Sequence, residues 1–147
     1  MSADTPGRES VHSRLIAAPP ELVFRAIGEP QRLARWWGPN GFSSTFDTFE
    51  FRPGGAWRFV LHGPDGTGYP NENVFREISP GRVVVEHLAD THHFLLTITL
   101  TPQDGQTLVG WRQLFDTPEH LQQVAALVSV ANEQNLDRLA AEVRTIP

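Results

Sequence analysis

The sequence predicts an α+β domain in which helices cover one face of an antiparallel sheet, and three observations carry that prediction. From Ser44 to Phe115, strand-like segments alternate with short turn signals; from Glu119 to Ile146, a run without Gly or Pro carries an apolar stripe at three- and four-residue steps. The third is size, since 147 residues suffice to bury one core without metals or disulfides.

Taken in chain order, residues 1–10 read as a loose polar leader and 11–147 as one domain. Val11 to Ala17 is a short strand. Pro19-Pro20-Glu21 opens a helix, because proline is tolerated in the first turn, and Leu22, Val23, Ala26 and Ile27 form its apolar face. Gly28-Glu29-Pro30 breaks it. A second short helix from Gln31 ends at Trp36-Trp37-Gly38-Pro39.

Six strands follow, separated by Pro53-Gly54-Gly55, Gly63-Pro64-Asp65-Gly66, Ser79-Pro80-Gly81, Ala89-Asp90-Thr91 and Gln103-Asp104-Gly105. Short connections favour an antiparallel meander. Trp57, Phe59 and Leu61 alternate with Arg58, Val60 and His62, so one face is more buried. Thr117-Pro118-Glu119 starts the last helix, whose stripe is Leu121, Val124, Ala125, Val128, Ala131, Leu136, Leu139 and Val143. Gln122, Gln123, Glu133, Arg138 and Glu142 fall mostly on its other side.

Composition narrows the function classes. There is no cysteine, which removes disulfides, thiolate catalysis and Cys-based zinc sites and fits a reducing, cytoplasmic location. A net charge of -5 offers no broad basic surface, so nucleic acid is not an expected partner. The polar start lacks the apolar core of a signal peptide, and no apolar run is long enough for a membrane span.

Four stretches in order, Ala18-Pro19-Pro20-Glu21-Leu22-Val23-Phe24, Trp36-Trp37-Gly38-Pro39, Phe51-Arg52-Pro53-Gly54-Gly55-Ala56-Trp57 and Glu77-Ile78-Ser79-Pro80-Gly81-Arg82-Val83, resemble the START-like, or SRPBCC, superfamily. The likeness spans about Val11 to Arg144 and is to the branch similar to the activator of the heat shock protein 90 ATPase. It implies a helix-grip fold, a curved antiparallel sheet wrapped on a long C-terminal helix, with a cavity between them. Across the superfamily that cavity takes lipids, polyketides and aromatic molecules. The same fold serves carriers, receptors, cyclases and the chaperone activator, so a function must be argued from the site.

Aromatic residues are the loudest signal for that site. Trp57, Phe59, Tyr69, Phe75, Phe94, Trp111 and Phe115 fall on predicted strands or their edges, and Trp37 closes the second helix. Each ring alone could simply fill the core; as a set they favour an aromatic-lined pocket. Gln113 shares a strand face with Trp111 and Phe115 by the period-two rule, and is the better polar contact for a ligand. Val128 and Asn132 lie on the covering helix, where Asn132 and Asn135 either orient a ligand or satisfy a strand end.

His87, His92 and His93 flank one predicted hairpin, yet no HExxH motif or third ligand at defined spacing accompanies them, so no metal is expected. His87 facing the pocket would serve as a general base. Arg52 and Arg58 are read as exposed ion pairs, and Gly54-Gly55 as a turn without nucleotide-loop spacing. No Ser sits in a GxSxG elbow. No cofactor is expected.

Three functions follow in order: binding or carrying a small hydrophobic or aromatic molecule, a cyclase, dehydratase or hydrolase acting on one, and a chaperone partner. Val83-Val84-Val85 and Phe94-Leu95-Leu96 are apolar on both strand faces, which leaves room for a second buried surface such as a homodimer contact.

Overall fold

The computed structural model describes residues 7–147; most of the expected leader, residues 1–6, lies outside the described residues. The elements run β1 (Glu9–Ile16), α1 (Pro20–Gly28), α2 (Pro30–Trp36), β2 (Ser43–Phe49), β3 (Ala56–His62), β4 (Gly68–Ser79), β5 (Arg82–His87), β6 (Phe94–Gln103), β7 (Gln106–Phe115) and α3 (Pro118–Val143). The first strand begins at Glu9 because Glu9 and Ser10 already pair with Leu114 and Gln113. All strands join one antiparallel sheet in the order β1-β7-β6-β5-β4-β3-β2. Register shifts between Phe46 and Thr48 in β2 and between Phe75 and Glu77 in β4 are bulges, which bend a strand and increase its twist.

The covering helix starts where the sequence predicts: the Thr117 hydroxyl accepts from the His120 N–H at 3.1 Å, and Pro118 occupies the first turn. Its buried residues begin only at Val128 and continue through Asn132, Asn135, Leu136, Leu139, Glu142 and Val143. Two expected positions differ. Ala125 is exposed, and Glu142, expected on the outer side, is buried. The reason is the α1–α2 unit, which packs on the C-terminal half of α3 and brings Arg35 and Arg32 to Glu142 at 2.9 and 3.2 Å.

The same unit is tied to α3 at its far end. The Trp36 indole N–H donates to the Ala26 carbonyl at 2.8 Å, locking α1 to α2. Arg138 donates to the carbonyls of Arg35, Gly38 and Pro39, capping the C-terminus of α2 with a cation where the helix dipole favours one. The Asn135 side-chain oxygen accepts from the Gly38 N–H at 2.9 Å. These contacts hold the Trp36-Trp37-Gly38-Pro39 corner against the sheet's helix-covered face.

Candidate functional site

Period-two alternation places Asn71, Asn73 and Phe75 of β4, Val83, Val85 and His87 of β5, Phe94, Leu96 and Ile98 of β6, and Trp111, Gln113 and Phe115 of β7 on that same face. Near the Phe75, Val83 and Ile98 rows the space above the sheet is filled by the core. Toward the other end, between the sheet, the N-terminal half of α3 and the corner after α2, a cavity of about 350 Å³ remains. Leu127, which lines it, is 73% exposed and marks its rim.

Seven residues singled out in the sequence line this cavity: Trp37, His87, Phe94, Trp111, Gln113, Val128 and Asn132. Five do not. Trp57, Phe59 and Phe75 are buried among Phe46, Phe49 and Phe51 in a continuous aromatic layer, with Trp57 and Phe75 stacked at 5.8 Å. Phe115 is fully buried beneath His92 and His120. Tyr69 pairs with Leu61 at the far strand end and is 48% exposed, so its ring stands outside the cavity. A shared strand face is therefore not the same as a shared wall: of the inward positions of β3, only Leu61 reaches the cavity.

Asn71 and Asn73, which carry no expectation from the sequence, line the wall from β4, and His92, noted there only within a histidine group lacking a third metal ligand, lines it from the β5–β6 loop. The signal for Asn73 was available, because it lies two residues from Phe75 on the same strand; the structure adds that it pairs with His87. Asn135 also lines the wall, and both its amide groups are spent on protein: it accepts from Gly38 and donates to the Ala131 carbonyl.

Two short polar chains cross the apolar wall. Trp57, Asn73 and His87 are successive partners across β3, β4 and β5; the Asn73 amide donates to the Trp57 carbonyl at 3.2 Å, and its oxygen lies 2.9 Å from His87 Nδ1. The imidazole stacks on Phe94, its partner on β6, at 4.7 Å. On the other side the Trp111 indole N–H donates to the Asn132 oxygen at 3.1 Å, and the Asn132 amide donates to the Gln113 oxygen at 3.0 Å. Both chains satisfy polar atoms that burial would otherwise leave costly.

The titratable groups near the rim are histidines. His92 Nδ1 lies 2.9 Å from His120 Nε2, joining the β5–β6 loop to the first turn of α3. His93 sits between Glu86 and Asp116, both at 2.7 Å, and these hydrogen bonds raise its pKa. Burial lowers that of His87 to about 4, with smaller contributions from the charges of His92 and His93.

This has a sign for stability. The unfolded chain protonates His87 near its ordinary 6.5 while the fold resists doing so until about 4, so stability contributed by neutral His87 is lost as pH falls between those values. His92, lowered by burial, acts in the same direction; His93, raised, acts in the opposite one. Urea unfolding at pH 7, 5.5 and 4 should therefore show a smaller acid loss for His87→Phe than for the native protein. Equal losses would remove His87 from this account. Among the described residues, no group of His, Asp and Glu is placed to hold a metal ion, and no helix is long and apolar enough to cross a membrane.

A curved seven-stranded antiparallel sheet, two short helices and a long C-terminal helix define the helix-grip class of fold. Within that class the chain belongs to the family described as activator of Hsp90 ATPase homolog 1-like protein, whose model matches residues 17–144. A protein from Arthrobacter aurescens, solved by NMR, shares the fold with a TM-score of 0.89 at 22% identity, over 99% of this chain and 91% of that one. A crystal structure from Nitrosomonas europaea gives 0.87 at 20%, over 98% and 99%. Another from Rhodobacter sphaeroides gives 0.84 at 26%, over 96% and 95%. No curated protein matches this chain. Family and fold are consistent with a ligand-binding domain.

Proposed function

We propose that this protein binds a small hydrophobic or aromatic molecule in the cavity between its sheet and α3. One observation carries the reading: about 350 Å³ of space remains beside a densely packed aromatic core, walled by Trp37, Phe94, Leu96, Trp111 and Val128 with a few amide groups among them. A well-packed core of this size has no mechanical need for such a void, whereas an apolar recess with sparse polar groups is the usual form of a small-molecule site. A catalytic role would rest on His87, and an imidazole whose conjugate acid is held near 4 is a weak base. The family description favours chaperone binding as a second reading, and its discriminating measurement is direct association with heat shock protein 90.

Native mass spectrometry of the purified protein, beside the same sample denatured and extracted with solvent, reports bound molecules and subunit count together. A recurring extra mass is expected in the native protein. Val128→Trp, which places a large ring in the cavity, should abolish it while leaving the circular dichroism spectrum unchanged. A chain that stays empty after challenge with cell extract would count against the binding reading.

A further inference from the structure

The polarity of the cavity's hydrogen-bonding groups can be read from the two chains that cross its wall, because each begins at a group with only one possible role. The Trp57 carbonyl can only accept, so the Asn73 amide nitrogen faces it and the Asn73 oxygen faces His87. His87 Nδ1 therefore carries the proton and donates. Nε2 is left with its lone pair, and no other group among the described residues bonds to it. The Trp111 indole can only donate, so the Asn132 oxygen faces it, the Asn132 amide faces Gln113, and the Gln113 oxygen accepts. The two N–H bonds of Gln113 Nε2 are left without a protein partner among the described residues.

These groups stand on β5 and β7 with β6 between them, two strand spacings or roughly 10 Å across the sheet. Between them lie Phe94 and Leu96, the cross-strand partners of His87 and Gln113. No Asp, Glu, Lys or Arg lines the cavity among the described residues. A charged ligand group would be desolvated there without a counter-charge.

Resting on the binding reading above, we propose that the cavity selects an uncharged molecule whose hydroxyl or N–H donates to His87 Nε2 and whose carbonyl-type oxygen accepts from Gln113, with an aromatic body over Phe94 and Leu96. The site thus has a donor end and an acceptor end, and orients its ligand between them.

Isothermal titration calorimetry with four matched probes tests this: benzophenone, 4-hydroxybenzophenone, 4-methoxybenzophenone and 4-benzoylbenzoate. The hydroxyl compound should bind about tenfold tighter than benzophenone or the methyl ether, the increment of one good hydrogen bond. The carboxylate should bind at least tenfold more weakly than benzophenone. In His87→Phe the hydroxyl advantage should vanish while benzophenone still binds. In Gln113→Leu benzophenone and 4-hydroxybenzophenone should each weaken about tenfold, with the hydroxyl advantage intact. Thermal melts of both variants establish that they are folded. Benzophenone binding with no gain from the hydroxyl, or a gain that survives His87→Phe, would overturn this inference alone. Binding of none of the four would overturn the binding reading with it.

Discussion

Gly55→Ala is expected to destabilise the protein by at least ~3 kcal/mol, at the upper end of what overpacking costs. A methyl group there would lie 2.0 Å from the Glu50 carbonyl oxygen and 2.9 Å from that of Arg52. Both are backbone atoms, so no side chain can swing aside. Nor can the turn shift as a body. The Gly54 N–H donates to the Phe75 carbonyl at 2.7 Å, the Phe75 N–H to the Gly55 carbonyl at 3.0 Å, and the Glu50 N–H to that of Ala56 at 2.8 Å. Accommodating the methyl means breaking at least one of these bonds and lifting the aromatic layer around Trp57 and Phe75.

Its neighbour provides the control. Gly54 has a φ of +82° with open space where a Cβ would stand, so Gly54→Ala should cost only the left-handed penalty of ~1–2 kcal/mol. Urea midpoints for the two variants decide the matter. A Gly55→Ala loss no larger than that of Gly54→Ala would show that the turn yields and that crowding does not govern it.

Trp111→Ala should cost ~3–5 kcal/mol, the range for deleting a large buried side chain. The indole is 2% exposed, sits 6.1 Å from Trp36 and 5.8 Å from Trp37 between ring centroids, and supplies the hydrogen that orients Asn132. Its removal opens the core into the adjoining cavity and loosens Gln113 at once. Trp111→Phe keeps a ring against Trp36 and forfeits the indole N–H, so it should recover most of the loss. Chemical denaturation of the pair separates packing from hydrogen bonding. A cost below about 1 kcal/mol for the alanine variant would mean that Trp36 and Trp37 close over the gap.

Much of the fold was legible because its signals are local. Turn residues at short intervals mark the meander, and the step pattern of Leu136, Leu139 and Val143 marks the helix face that meets the sheet. The site was less legible for a reason seen in β3. Alternation reports which face of a strand a residue occupies; it carries no information on how far along the strand the covering layer extends. Trp57 and Phe59 share the inner face with Leu61, yet their rings pack against their β2 partners Phe49 and Phe46 and the cavity begins only beyond. Glu142 shows the complementary limit. Nothing in its own helix marks it as buried, because the arginines that compensate it come from α2, far back in the chain. Asn73 could have been read by extending the Phe75 alternation by one step.

The strand order also governs when the molecule can exist at all. The first strand adds to the sheet through the seventh, Glu9 opposite Leu114, and the α1–α2 unit finds its ionic and aromatic partners on α3 and β7. During synthesis the segment from β1 to α2 therefore leaves the ribosome with its binding surfaces still unmade, and the meander β2 to β6 must wait with its inner face open. Non-local pairing over that distance costs loop entropy before its contacts repay it, so slow folding is expected. A chain interrupted before α3 would present an uncovered aromatic face to its neighbours, so aggregation of nascent fragments is the hazard this topology carries.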